Sequence, residues 1–260
     1  KESETRFEVN FVNQTGEVYS ETFDATGDKQ LVAGKVREFP VVEFAANSKM
    51  LLIGTDVDME TFAMEVKAGT FNSKYDGALL VNDVDMTGKE WTSVEGFNSV
   101  FEGRNYTIKG LTAPLFGENV VATISNVKVE GNIVEESNSK VGLIARSLAV
   151  GGKVFNCSAE GSIEYKNPNV VAAANLDLVN IGGAIGGVYG AEVSIVKSDV
   201  DITISVAGPN GNTLYNPCIG GVVGYACATG DSLPVVSECS SNGAIIWDDA
   251  STNTKVTPFI

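Results

Sequence analysis

The chain has 260 residues, 43% of them apolar, and carries 33 acidic against 18 basic side chains for a net charge of −15. Length and composition give one sizeable core and exclude a disordered chain, and the acidity argues against a nucleic-acid partner, which needs clustered Lys and Arg. Histidine is absent, so Ser–His–Asp, Cys–His and His-zinc chemistry are excluded by composition.

The opening "KESETR" is a polar tail, the start expected of a mature chain. Apolar runs throughout are far shorter than the roughly 18 residues of a membrane span. "RFEVNFV" and "EVYSETF" flank "NQTG" and predict a hairpin. "DVDMETFAMEVKAG" from Asp56 to Gly69 predicts a helix, with Asp at its start and Gly after its end. "GALLVNDVDMTGKEW" and "FNSVFEGRNYTIKGL" read as strands joined by turns. Asp83 and Asp85 are spaced like the start of a calcium loop, but its further ligands and closing Glu are missing. With Val84 and Met86 alternating against them, a turn with polar flanks is the better reading. Residues 1–70 are predicted to form a hairpin-plus-helix cap, which an open repeat end requires, and residues 71–260 the repeat domain.

Four segments align without gaps: "ISNVKVEGNIVE" from Ile124, "VFNCSAEGSIEY" from Val154, "IVKSDVDITISV" from Ile195 and "VSECSSNGAIIW" from Val236. Alternate positions form small or apolar columns, among them Val127, Cys157, Ser198 and Cys239, and Ile133, Ile163, Ile204 and Ile245. The intervening columns are mostly polar. That period of two marks strands with one buried face. A second, Gly-rich strand follows in three repeats, as "VGLIARS", "IGGAIGG" and "IGGVVGY". Its glycines suit tight corners and facing strands too close for a Cβ. The pattern predicts an all-β chain built as a parallel β-solenoid.

Between the two strands of each repeat lie insertions of unequal length at 136–140, 166–180 and 207–217, which must leave from one edge. Loops gathered on one side of a repeat scaffold form a binding surface or are neutral insertions. As a binding surface, the two longer ones offer Asn167, Asn169, Asn175, Asp177, Asn210, Asn212, Thr213 and Asn216 for hydroxyl groups, with Tyr215 for stacking. Trp247 and Tyr165 fall in the inward register, where corner packing is expected. An outward column of Glu130, Glu160 and Asp201 sets carboxylates about 4.8 Å apart on neighbouring coils. A solvated acidic stripe is the plain reading, and Ca²⁺ is the one cofactor that would suit it.

Four cysteines are too few for a disulfide scaffold, and no CxxC occurs. Cys157 and Cys239 share a column two coils apart, too far to bridge. Cys218 and Cys227 flank one extended strand, which disfavours a direct bridge.

"LLVNDVDMTGKEW", "FEGRNYTIKGL" and "PLFG", followed by the three Gly-rich strands, resemble bacterial (Bacteroides-type) surface proteins with GLUG repeats. The resemblance spans roughly residues 56–247. It implies a right-handed parallel β-helix, exported to the extracellular or outer-membrane surface. It also implies adhesion or glycan binding, with a glycan or a host cell-surface protein as partner, and it supplies no catalytic residue. A non-catalytic adhesion module is therefore the expected function. A polysaccharide lyase or hydrolase working in a β-helix groove is the first alternative and a structural stalk the second. The enzyme would need Lys, Arg or a carboxylate pair as its base, and the aligned strands hold no such cluster.

Overall fold

A strand with one apolar face cannot bury that face alone, so its neighbours in the sequence must supply the cover. The computed structural model describes residues 6–24, 46–137, 139–166, 179–205 and 218–248. Strands dominate them, with two helices, and the chain is all-β. The N-terminal elements are β1 (Arg6–Val12), β2 (Glu17–Asp24), β3 (Ala46–Ile53), α1 (Asp56–Lys67) and α2 (Phe71–Lys74). Short strands follow: β4 (Gly77–Leu80), β5 (Val84–Asp85), β6 (Val100–Glu102), β7 (Thr107–Leu111) and β8 (Thr123–Ser125). The middle holds β9 (Lys128–Glu135), β10 (Ala145–Leu148), β11 (Lys153–Lys166), β12 (Asn180–Gly182), β13 (Ile185–Tyr189) and β14 (Glu192–Ser205). The last are β15 (Cys218–Gly220), β16 (Val223–Cys227), β17 (Val235–Ser237), β18 (Ser240–Ser241) and β19 (Ile245–Asp248).

From β3 onward the named strands pair in parallel. One ladder aligns Gly77, Val100, Thr123, Lys153, Glu192 and Val235. A second aligns Val84, Ile108, Val129, Ala159, Ser198 and Ser241. A third aligns Val94, Phe116, Ala145, Ile185 and Val223. Successive partners in the first ladder stand 23, 23, 30, 39 and 43 residues apart. The repeat therefore begins two coils before Ile124. Those early coils escape a sequence alignment because each of their strands is only two to five residues long.

Columns of equivalent side chains build the core. Ala78, Phe101, Ile124, Val154 and Val193 stack with 0% exposure. Burying a large apolar side chain in this way contributes about 1.5–3 kcal/mol. The next member, Val236, is 45% exposed, as is its neighbour Ile245 at 46%, so the columns lose their cover at the last coil.

Pairing corrects the alignment of the third coil by two residues. Val193, not Ile195, stands beside Val154, and Ile202, not Ile204, continues Ile133 and Ile163 before Ile245. Ile204 pairs instead with Tyr165 and Trp247, and Ser198 pairs with Ala159 rather than Cys157. The cause is Ile195 itself. It turns a corner with φ +54° and is 50% exposed, matching Asn126, Asn156 and Glu238 at φ +54°, +51° and +53°. A β-branched residue is poorly suited to that left-handed conformation, so its apolar identity points to a core place it does not occupy.

The hairpin and the helix form as expected. β1 and β2 pair antiparallel, β2 pairs antiparallel with β3, and β3 joins the parallel ladder beside β4. Thr55 caps α1, its hydroxyl accepting from Asp58 N at 3.2 Å, while the Asp58 carboxylate accepts from Gly54 N at 3.0 Å. From α1, Phe62 meets Phe97 at 5.1 Å, Phe71 at 5.5 Å and Phe101 at 5.5 Å. This aromatic cluster ties the helix to the first coils.

The Gly-rich strands pass within contact of each other's backbone. A Cβ on Gly182 would lie 2.0 Å from the Ile185 carbonyl oxygen, and one on Gly224 2.6 Å from Ile181 N. Only glycine fits there. Two changes test the account by urea unfolding. Ile195→Asn should stabilise the protein by about 1 kcal/mol by relieving the left-handed corner, and Gly182→Ala should destabilise it by about 2 kcal/mol or more.

Candidate functional site

Three strands end together and fix where the chain can vary. Glu135 at the end of β9 pairs with Tyr165, and Lys166 at the end of β11 pairs with Ser205 of β14. The chain returns with Val141 beside Ile181, Ile181 beside Ile219, and Asn180 beside Cys218. All three insertions thus leave from one edge and re-enter along one line. Asn167, Asn169, Asn175, Asp177, Asn210, Asn212, Thr213, Tyr215 and Asn216 lie outside the described residues.

The described edge brings together side chains from five strands and two turns. At its first insertion, Glu135 is 7% exposed and takes Arg146 Nη1 of β10 at 2.7 Å. Ser137 adds its hydroxyl at 2.5 Å and its N–H at 3.0 Å. Burial pushes the Glu135 carboxyl up, but these Ser137 and Arg146 bonds outweigh it and hold the pKa below the usual range. Arg146 Nη1 also donates to Ser139 Oγ and the Lys140 carbonyl, each at 2.9 Å, which fixes the turn.

Beside that turn stands an aromatic pair. Tyr189 of β13 and Tyr225 of β16 lie 5.9 Å apart, their rings tilted by 52°. Lys140 Nζ sits 5.2 Å from the Tyr189 ring centre and 3.2 Å from Glu118 Oε2. Asn180, fully buried, donates from Nδ2 to the Tyr189 hydroxyl at 3.1 Å, and its Oδ1 has no partner among the described residues. The two half-buried tyrosine rings offer a stacking surface at this edge, while buried Asn180 holds the Tyr189 hydroxyl in place from beneath. None of these residues stands out in a single sequence. Their one signal is a tyrosine within or just after each "IGG" strand, in "IGGVYG" and "IGGVVGY".

The carboxylate ladder departs from expectation. Glu130 does pair with Glu160, but Asp199 continues the column and Asp201 pairs with Ser162. Asp199 is held below its usual pKa by Lys197 and by Asn242, whose Nδ2 donates at 2.9 Å. Asp201 accepts Ala244 N at 2.8 Å, committing its carboxylate to the backbone. Among the described residues no group of three or more Cys, Asp or Glu converges for a metal ion. The two-residue shift of the third coil thus takes Asp201 out of the Glu130–Glu160 column.

Asp85 opens a turn, its Oδ1 accepting Thr87 N at 3.0 Å, while Asp83 ties this segment to the next coil. Asp83 Oδ1 accepts Thr107 N at 2.8 Å, and Thr87 and Lys109 together hold Asp85 down to about 2. Tyr165 is fully buried, as the inward register requires, while the Trp247 side chain lies outside the described residues. Burial drives the Cys157 thiol up to about 12, which makes it a core group rather than a nucleophile. Among the described residues no helix is long and apolar enough to cross a membrane.

Removing Arg146 should release this edge. Arg146→Leu leaves a nearly buried carboxylate without its cation and is expected to destabilise the protein by about 2–3 kcal/mol at pH 7. The folded pKa of Glu135 is depressed, so this contribution is full above its unfolded value and fades as pH falls through the folded one. Unfolding series at pH 7 and pH 3 should show the difference between wild type and variant shrinking at the lower pH.

The chain is 27% identical over 125 residues to an immunoglobulin A1 protease of Streptococcus pneumoniae (strain ATCC BAA-255 / R6), a match that covers 40% of this chain and 6% of the protease. The chain therefore spans a small fraction of that relative. No family model and no solved structure matches it.

Proposed function

We propose that this chain is a right-handed β-helix with GLUG-type repeats, exported to the cell surface, that binds a glycan through its insertion edge and performs no catalysis. The observation that carries this reading is the convergence of all three insertions on one edge, beside the Tyr189–Tyr225 pair. A rigid ladder that varies only at one edge concentrates specificity there. The net charge of −15 disfavours sulfated or sialylated chains, which makes an uncharged glycan the favoured ligand. Each hydrogen bond to a sugar is worth about 1 kcal/mol net, so several must act together.

The likeness over 125 residues to a protein named an immunoglobulin A1 protease supports a host-directed role. The test replaces 167–178 and 206–217 with short Gly-Ser turns. Melting should stay nearly unchanged, while attachment to desialylated mucin or to epithelial cells should fall to background. Attachment that survives the double replacement removes the edge from consideration. Release of unsaturated or reducing sugar ends, abolished by a single carboxylate substitution, would instead establish the lyase or hydrolase reading.

A further inference from the structure

The last coil departs from those before it at one chemically significant place. Ser198 pairs with Ser241 and Ile202 with Ile245, so Asn242 stands beside Asp199 and Gly243 beside Val200. In the three coils before it the same column reads Glu130, Glu160 and Asp199, followed by Gly131, Gly161 and Val200. The last coil puts a carboxamide where those coils have a carboxylate, and puts it directly before a glycine. Asn242–Gly243 is the one Asn–Gly step among the described residues.

The fold keeps that step intact and leaves it reactive. A Cβ on Gly243 would collide with the Val200 carbonyl oxygen, so the position is closed to any larger residue. Glycine in turn leaves its own amide nitrogen unshielded by a side chain. The Gly243 N–H makes no hydrogen bond among the described residues, whereas Asn242 N donates to the Ser198 carbonyl at 3.0 Å and Ala244 N to Asp201 Oδ1 at 2.8 Å. Residues 242–244 lie between β18 and β19, outside either strand, and the Asn242 side chain is exposed to water. Its Nδ2 donates to Asp199 Oδ1 at 2.9 Å. That bond holds the amino group and leaves the Cγ carbon open to attack from the following nitrogen.

We propose that Asn242 is a site of spontaneous deamidation, which converts it to aspartate or isoaspartate in the folded chain. The Gly243 nitrogen gives its proton to hydroxide and bonds to Asn242 Cγ. The Cγ–Nδ2 bond breaks, and the amino group takes a proton from water and leaves as ammonia. Water then opens the five-membered imide. Opening at Cγ gives aspartate, and opening at the backbone carbonyl gives isoaspartate, with one water consumed and one ammonia released in either case. Aspartate restores the acidic column but sets a second carboxylate against Asp199 in place of a hydrogen bond. Isoaspartate adds a methylene to the main chain between β18 and β19, which cannot then keep both the Ser198–Ser241 and the Ile202–Ile245 pairings. The change falls on the coil whose columns are already uncovered at Val236 and Ile245, so the molecule loosens from that end as it ages. None of this depends on what the insertion edge binds.

Incubation of the folded 260-residue chain at mildly alkaline pH, followed by peptide mapping with mass spectrometry, tests the assignment. The peptide that carries residue 242 should gain the mass that separates an acid from an amide. Its rate should lie within about tenfold of the rate in the same chain unfolded in urea. Isoaspartate-specific methylation should label the same peptide. Asn242→Gln should abolish both signals, because closure would then need a six-membered ring. Asn242→Asp makes one product directly and should lower the melting temperature by about 2–4 °C. That loss should shrink in an Asp199→Asn background, where the repelling carboxylate is gone. The proposal fails if the folded chain keeps its amide at residue 242 while the unfolded chain loses it. It fails equally if the mass gain persists undiminished in Asn242→Gln.

Discussion

Register is the constraint on which the rest depends. Parallel strands stacked coil on coil place each side chain directly against its equivalents above and below, so every coil must fill a column with a residue of compatible size. The fully buried series Ala78, Phe101, Ile124, Val154 and Val193 meets this condition, while Ser198 narrows its own column and faces the bare backbone of Gly183. Small residues on one wall and glycines on the other are a single adaptation. Both let two ladders approach more closely than ordinary side chains allow. At the N-terminal end Phe62 of α1 covers the first coils; at the last coil the same columns emerge with Val236 and Ile245 nearly half exposed.

This rigidity is what gives the insertion edge its meaning. Backbone pairing on both sides of each insertion fixes where it starts and where it returns, so length can vary without disturbing the ladders. Arg146 and Glu135 anchor the first turn through a nearly buried ion pair. Tyr189 ties β13 to Asn180 at the point of re-entry. A net charge of −15 repels anionic polymers at long range.

Much of the architecture was legible in the residues, and the gaps have identifiable causes. The period of two around Ile133 and Ile163, the hairpin around "NQTG" and the helix from Asp56 all follow local rules that tertiary packing leaves intact. β3 has no sequence signal because "ANSKMLLI" shows no alternation: Met50, Leu51 and Leu52 are half-buried in succession, with β2 and β4 paired at its two edges. The third coil slipped because Ile195, an apolar β-branched residue, occupies an exposed left-handed corner that Asn fills in the two coils before it. That slip alone moved Asp201 into a carboxylate column where Asp199 belongs. Tyr189 and Tyr225 carry no distinct sequence signal, because a tyrosine after a Gly-rich strand looks like core until the strand's neighbours are known.

Cross-linking measures register most directly. In a background with Cys157→Ala and Cys239→Ala, Ser158→Cys with Lys197→Cys places two thiols on paired positions of β11 and β14. Paired strands lie about 4.8 Å apart, within disulfide range. Ser158→Cys with Asp199→Cys separates them by two further residues along the strand, roughly 8 Å, which is beyond that range. Under mild oxidation the first pair should close to a disulfide and the second should stay reduced, read by mass after alkylation. Closure of the second pair and not the first would contradict the register, and with it the columns and the edge built upon them.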